Sequence, residues 1–104
     1  MPEAARKVVV TGSIQAQPAH VDELLRLSLE HVRRSRTEPG CISHAVHRDV
    51  EDPLRLVFVE EWADRAALLA HFAVPASRAF VKAAAGFAAA APTMALYEVE
   101  TLRL

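Results

Sequence analysis

The sequence holds a single cysteine, Cys41, so no disulfide can form within the chain and nothing points to an oxidising compartment. Its three glycines, Gly12, Gly40 and Gly86, are isolated from one another. No glycine-rich loop is therefore available to cradle a phosphate, and a nicotinamide or flavin held in that way is not expected. Charge of one sign is not in excess either. Twelve basic and thirteen acidic residues leave a formal charge of −1, which gives no global field for holding nucleic acid or an anionic membrane. Long apolar runs are missing. The first, "VVVTGSI" behind Arg6 and Lys7, is too short and too polar for a signal or membrane segment. A cytoplasmic protein is the resulting expectation. What is present is 52% apolar and 24% charged residues in a chain of 104, enough for one domain spanning 1–104 with one core.

The order of elements follows from periodicity. Val8 to Ile14 is short and β-branched, which predicts a buried strand. "QPAHVDELLRLSLEHVRRSR" switches to a helical period, with Pro18 suited to the first turn and Val21, Leu24, Leu25, Ser28, Leu29 and Val32 on one face. Asp22 to Arg26 and Glu30 to Arg34 are acid-before-base pairs four apart, and Arg33, Arg34 and Arg36 read as a solvated helix end. "TEPG" stops this helix, because Pro39 excludes Glu38 from the helical region and Gly40 permits the turn. Cys41 to Arg48 and Leu54 to Trp62 read as strands joined through Asp49 to Pro53 as a hairpin. Asp64 is placed to cap a short helix carrying Leu68, Leu69 and Phe72, and Pro75 to start another over roughly Ala76 to Ala90. Met94 to Leu104 supplies a fourth strand. Strand, helix, two strands, broken helix, strand is an α+β order: the ferredoxin-like split βαβ, a four-stranded antiparallel sheet with helices on one face. The strands are apolar on both faces, as in Val8 and Val9 or Val57 and Phe58, so the bare face is expected to meet a second copy in a homodimer.

Five histidines raise the question of a metal, and spacing along the chain argues against one. His44 and His47 leave opposite faces of their strand, while His20, His31 and His71 each lack a nearby second ligand. Cys41 has no local signature of a nucleophile and reads as a small buried hydrophobe. "VEEWADRAALLAHF" is more informative. Phe58, Glu60 and Trp62 share one strand face, and His71 falls on the inward stripe of the next helix. Two readings stand at this point: a core-edge indole beside a satisfied histidine, or the wall of an apolar pocket with a few polar groups, as small-molecule sites usually are.

Thr37 to Phe80, "TEPGCISHAVHRDVEDPLRLVFVEEWADRAALLAHFAVPASRAF", resembles the antibiotic biosynthesis monooxygenase (ABM) domain family. The resemblance rests on the E-P-G-C turn, the H-R-D before the hairpin, the E-E-W strand end and the A-L-x-A-H-F helix. It implies a dimeric α/β-barrel of two ferredoxin-like units and cofactor-independent oxygenation, by O2, of a small aromatic such as a quinol, polyphenol or anthrone-like compound. On that footing His71 (base) and Trp62 (indole wall) are the candidate catalytic residues, with Phe58, Glu60, Leu68, Phe72 and Phe80 lining the substrate site and no metal ligands. Glu60 is a second candidate acid or base. Two departures qualify the resemblance. Many relatives read A-H-x-x-T-P-H, whereas "HFAVPAS" places Ala76 at the second histidine. Gly12 and the Phe80–Val81 region stand where haem-degrading relatives hold iron, so haem cleavage is not expected. A non-catalytic module binding the same aromatic class and an isomerase acting on a small carbonyl compound remain the alternatives.

Overall fold

The β-branched run at the start of the chain forms strand β1 (Lys7–Gln15) of a computed structural model that describes residues 6–104. A single 3-10 turn at Pro18–His20 leads into α1 (Val21–Ser35), followed by β2 (Cys41–Arg48), β3 (Arg55–Trp62), α2 (Arg65–Ala73), α3 (Pro75–Phe87) and β4 (Thr93–Val99). The strands lie in the order β2-β3-β1-β4, every neighbouring pair antiparallel. This is the expected ferredoxin-like α+β architecture.

Local chemistry sets the breaks. Asp64 accepts a hydrogen bond from the Ala67 amide at 2.9 Å and caps α2. Pro75 starts α3, where its missing N–H costs nothing. Gly40 adopts φ 81°, and a Cβ built on it would clash with Ala67 Cβ, while its carbonyl accepts from the Ala63 amide at 2.8 Å. This close approach pins the turn after α1 to the start of α2. Gly40→Ala is expected to destabilise the fold by about 1–3 kcal/mol, read as a lower urea midpoint. An unchanged midpoint would show that the two segments are not in contact.

The helix-facing rows of the sheet are Val8, Val10 and Ile14 on β1 and Leu56, Phe58, Glu60 and Trp62 on β3, all buried. Two apolar clusters result. One gathers Ile14, Leu24, Val32, Leu56, Phe58 and Ala84, and the other Val8, Val10, Trp62 and Leu68. Along β3, Glu60 stands between Phe58 of the first and Trp62 of the second. On the opposite face Val59 and Tyr97 remain 39% and 53% exposed.

Several sequence expectations are corrected. Leu29 is exposed, and the buried stripe of α1 is Leu24, Ser28, His31, Val32 and Ser35, which turns His31 inward. Arg26 pairs with Glu23 and Glu30 rather than with Asp22. Arg34 leaves Glu30 for His31 and Ser77. The third strand starts at Arg55, since Leu54 and Arg55 take their amide partners from Asp52 in the turn. The last helix stops at Phe87 because Ala88 bridges to Ala16, and the last strand stops at Val99, where the β1 partner strand runs out at Lys7. Among the described residues no helix is long and apolar enough to cross a membrane.

Candidate functional site

Three histidines from three elements converge between the apolar clusters. His31 comes from the inward stripe of α1, His44 from β2, where it lies directly opposite Glu60 in register, and His71 from the last turn of α2. Their ring centroids are 5.3 Å (His31–His44), 5.3 Å (His31–His71) and 5.5 Å (His44–His71) apart. All three are buried, at 6%, 2% and 4% exposure.

Each ring has a different set of partners. His71 Nδ1 lies 2.8 Å from Glu38 Oε1, and its ring packs 4.6 Å from the Trp62 indole. With the carboxylate accepting from Nδ1–H, the proton-free nitrogen of neutral His71 is Nε2. Arg34 Nη2 donates to His31 Nδ1 at 2.7 Å, and the His31 ring stacks on Phe80 at 4.2 Å. His44 Nε2 comes within 3.2 Å of Glu60 Oε1 but out of line for a hydrogen bond, and neither ring nitrogen has a hydrogen-bond partner among the described residues. Trp62 Nε1 donates to Glu60 Oε1 at 2.9 Å.

Protonation follows from these surroundings. Burial, then the neighbouring His44 and His71, then the Arg34 guanidinium push the His31 imidazole down to about 3. Burial pushes the Glu60 carboxyl up, but the facing His44 ring and the Trp62 N–H together outweigh it and hold the group below its ordinary value. Glu60 is therefore an ionised acceptor at neutral pH, not an acid. Burial raises the Cys41 thiol, with Glu38 and Glu60 adding to it, which fits a packing role.

The depressed His31 value carries a stability consequence. Well above pH 6.5, its ordinary value, folded and unfolded chains bind the same number of protons at this ring. As pH falls below that, the unfolded chain takes up a proton that the folded chain refuses, so stability drops by up to about 1.4 kcal/mol per pH unit until the folded value is reached. The lowered Glu60 carboxyl acts in the same direction only below its ordinary 4.5, so the window between 6.5 and 4.5 is free of that carboxyl's contribution. Urea midpoints of metal-free protein are expected to fall across this window, and His31→Gln to flatten the fall. An equal slope in the variant would place the titration elsewhere.

Next to these groups lies a partly open cavity of about 430 Å³. His31, Glu60 and His71 supply its polar floor, Phe58, Phe72, Phe80, Val81, Val10 and Met94 its apolar walls, and Ser13, Ser77, Arg78 and Thr93 further polar groups. Of the residues expected from sequence, His71, Phe58, Glu60, Phe72 and Phe80 line this space. Trp62 and Leu68 do not. Trp62 is fully buried behind His71 and Leu68 packs with it, Val8 and Val10, so the indole supports His71 and Glu60 without forming a wall. Ala76 is exposed on α3 and does not line the cavity.

His31, His44 and Glu38 escaped the sequence reading. Spacing along the chain does not show the convergence, because the three rings come from three elements. Two signals were available. Ser28, His31 and Ser35 repeat at helical spacing on the buried stripe, polar where an apolar residue is the rule, and His44 falls opposite Glu60 once the hairpin register is drawn.

Comparison with known proteins places the chain in a wider group. The family model described as Antibiotic biosynthesis monooxygenase matches residues 7–83. An uncharacterized protein of Synechocystis is 34% identical over 92 residues, which are 88% of this chain and 63% of that relative's length. A crystal structure of an antibiotic biosynthesis monooxygenase superposes with TM-score 0.84 at 31% identity, covering 90% of this chain and 99% of the other. A conserved protein from Methanosarcina mazei superposes with TM-score 0.87 at 22% identity, covering 92% and 95%, and speaks for the fold alone.

Proposed function

We propose, from the premise that the chain belongs to the antibiotic biosynthesis monooxygenase family, that its cavity oxidises a small electron-rich aromatic, a quinol, polyphenol or anthrone-like compound, with O2. The observation that carries this reading is His71, set in the floor of an otherwise apolar cavity with Nδ1 held by Glu38. That bond fixes the ring's tautomer and leaves Nε2 as the base, the arrangement a proton abstraction needs.

The chemistry requires little else of the protein. Removing the proton of a phenolic or enolic O–H leaves an anion reducing enough to hand one electron to O2, and the radical pair recombines to a carbon-bound peroxide. Loss of water from the peroxide gives the product, the proton taken by His71 returning with the departing oxygen. The atoms and electrons balance without a second reductant. An anthrone CH2 becomes C=O by a four-electron oxidation, one oxygen atom entering the product and the other leaving as water. Hydroquinone to hydroxyquinone balances in the same way. Glu38 steadies the imidazolium, while apolar walls such as Phe58, Phe72 and Phe80 hold the ring and exclude water from the intermediates. Glu60 accepts hydrogen bonds and orients a second hydroxyl. The exposed position of Ala76 leaves this set intact, since further imidazoles come from His31 and His44.

Pairing of two copies through the bare sheet face belongs to the same reading, supported by the exposed Val59 and Tyr97 there. Light scattering is expected to give twice the chain mass, and Val59→Glu with Tyr97→Glu to reduce it to one. A wild-type monomer at micromolar concentration excludes the pairing. A soluble cytoplasmic setting without a resident cofactor completes the proposal, checked by locating the tagged chain in fractionated cells.

The test is O2 uptake by metal-stripped protein with hydroquinones, naphthohydroquinones and anthrones. Saturable, protein-dependent uptake supports the proposal. Uptake no faster than autoxidation, with saturable binding of an aromatic, replaces it with a binding module, and turnover without O2 consumption replaces it with an isomerase.

A further inference from the structure

We propose that His31, His44 and His71 form a binding site for one divalent transition-metal ion of the kind that prefers imidazole nitrogen, such as zinc or copper(II). One ring nitrogen from each histidine can be chosen so that all three lie within 4.8 Å of one another. Three nitrogens at about 2.0–2.1 Å from a tetrahedral zinc stand roughly 3.3–3.4 Å apart, so small side-chain rotations close the shell. The donor set is all nitrogen with carboxylates at its edge, which suits zinc, copper and nickel better than magnesium or calcium.

Two independent features point to a ligand. The first is His44, 2% exposed, whose ring nitrogens make no in-line hydrogen bond among the described residues. A buried imidazole without partners is costly, and in native proteins such groups usually mark an ion or a water. The second is the support around the triad. Glu38 holds His71 through Nδ1, the carboxylate–histidine arrangement that orients metal-binding imidazoles, and so directs the Nε2 lone pair to the ion. Glu60, 3.2 Å from His44, adds a nearby negative charge. His31 and His71 also line the cavity, so a fourth coordination position is reachable from solvent.

One group opposes the ion. Arg34 donates to His31 Nδ1, which keeps the ring proton on Nε2 in the metal-free protein. Binding through Nε2 requires that proton to shift to Nδ1 or leave, and the half-buried guanidinium to give up its place. The site's affinity is thus held down by Arg34, and its removal is expected to raise it. A loaded ion also occupies the nitrogen assigned above as the base. That consequence for turnover rests on the proposed function, whereas metal binding does not.

The experiment is calorimetric titration of the metal-free full chain with zinc chloride, paired with copper(II) titration followed by electron paramagnetic resonance. One ion per chain is expected, with nitrogen hyperfine coupling in the copper spectrum. His44→Phe, which replaces an unpartnered imidazole with an apolar ring of similar size, is expected to weaken zinc binding about 100-fold or more. His20→Ala with His47→Ala should leave it unchanged. Arg34→Gln, a change on a half-buried side chain that keeps the fold testable should His44→Phe not fold, is expected to strengthen binding about tenfold. No saturable binding at one ion per chain, binding lost with His20 and His47, or affinity indifferent to both His44→Phe and Arg34→Gln would overturn the proposal. Zinc that binds as expected but leaves O2 uptake untouched would keep the site and contradict His71 as the base.

Discussion

Alanine in place of His71 is expected to lower protein-dependent O2 uptake by about 10²- to 10⁴-fold, the usual contribution of a positioned general base. Michaelis constants should change much less, because the apolar walls that hold the ring are untouched. Two features make His71 the residue to remove. It is the ring shared by the cavity floor and the Glu38 contact, and its other face is packed by the Trp62 indole. Glu38→Gln should follow it in kind with a smaller loss, because an amide also offers an acceptor to Nδ1–H yet gives less support to the imidazolium. Loss of turnover in Glu38→Gln with unchanged turnover in His71→Ala would reverse the assignment and make the carboxylate the base. Circular dichroism and melting of both variants separate lost chemistry from lost fold.

Trp62→Ala is expected to be the most damaging single change to stability, at about 3–5 kcal/mol, out of the roughly 5–15 kcal/mol that holds a typical domain. The indole is fully buried, packs with Val8, Val10 and Leu68, and gives its N–H to Glu60. Trp62→Phe keeps most of the apolar volume and removes only the donor, leaving a buried carboxylate short of a partner at about 1–3 kcal/mol. Because the indole stands behind His71 and not in the cavity wall, Trp62→Phe should retain turnover within a few-fold. A variant of normal stability and no turnover would put the indole into the chemistry after all. The comparison therefore distinguishes a residue that supports the site from one that meets the substrate.

The fold was readable because it is written in local signals. Asp64, Pro75, Gly40 and the β-branched run at Val8 each settle a break or an element on their own chemistry. Part of the cavity lining was readable for the same reason: Phe58 and Glu60 alternate along one strand, and His71 and Phe72 follow a capped helix. The rest depends on tertiary placement. His31 required the rotation of α1 to be known to within about one residue, and the two leucines at Leu24 and Leu25 left it open, with Leu29 drawing the expected stripe the wrong way. His44 required the hairpin register, which the irregularity between Cys41 and Ser43 obscures. Glu38 sat in a turn whose sequence explains why the helix ends but not where the carboxylate points. Trp62 lies on the helix-facing side that alternation implies but behind His71 and outside the cavity lining, since alternation tells which side of a sheet a residue occupies and not whether a cavity reaches it.

In the proposed reaction O2 itself is split between an aromatic substrate and water. Turnover under ¹⁸O2 of whichever anthrone or hydroquinone supports uptake, with mass spectrometry of the product, tests it most directly. One ¹⁸O atom per product molecule, absent when the label is supplied as water, is the predicted result after correction for carbonyl exchange. Unlabelled product formed at the wild-type rate would contradict the account.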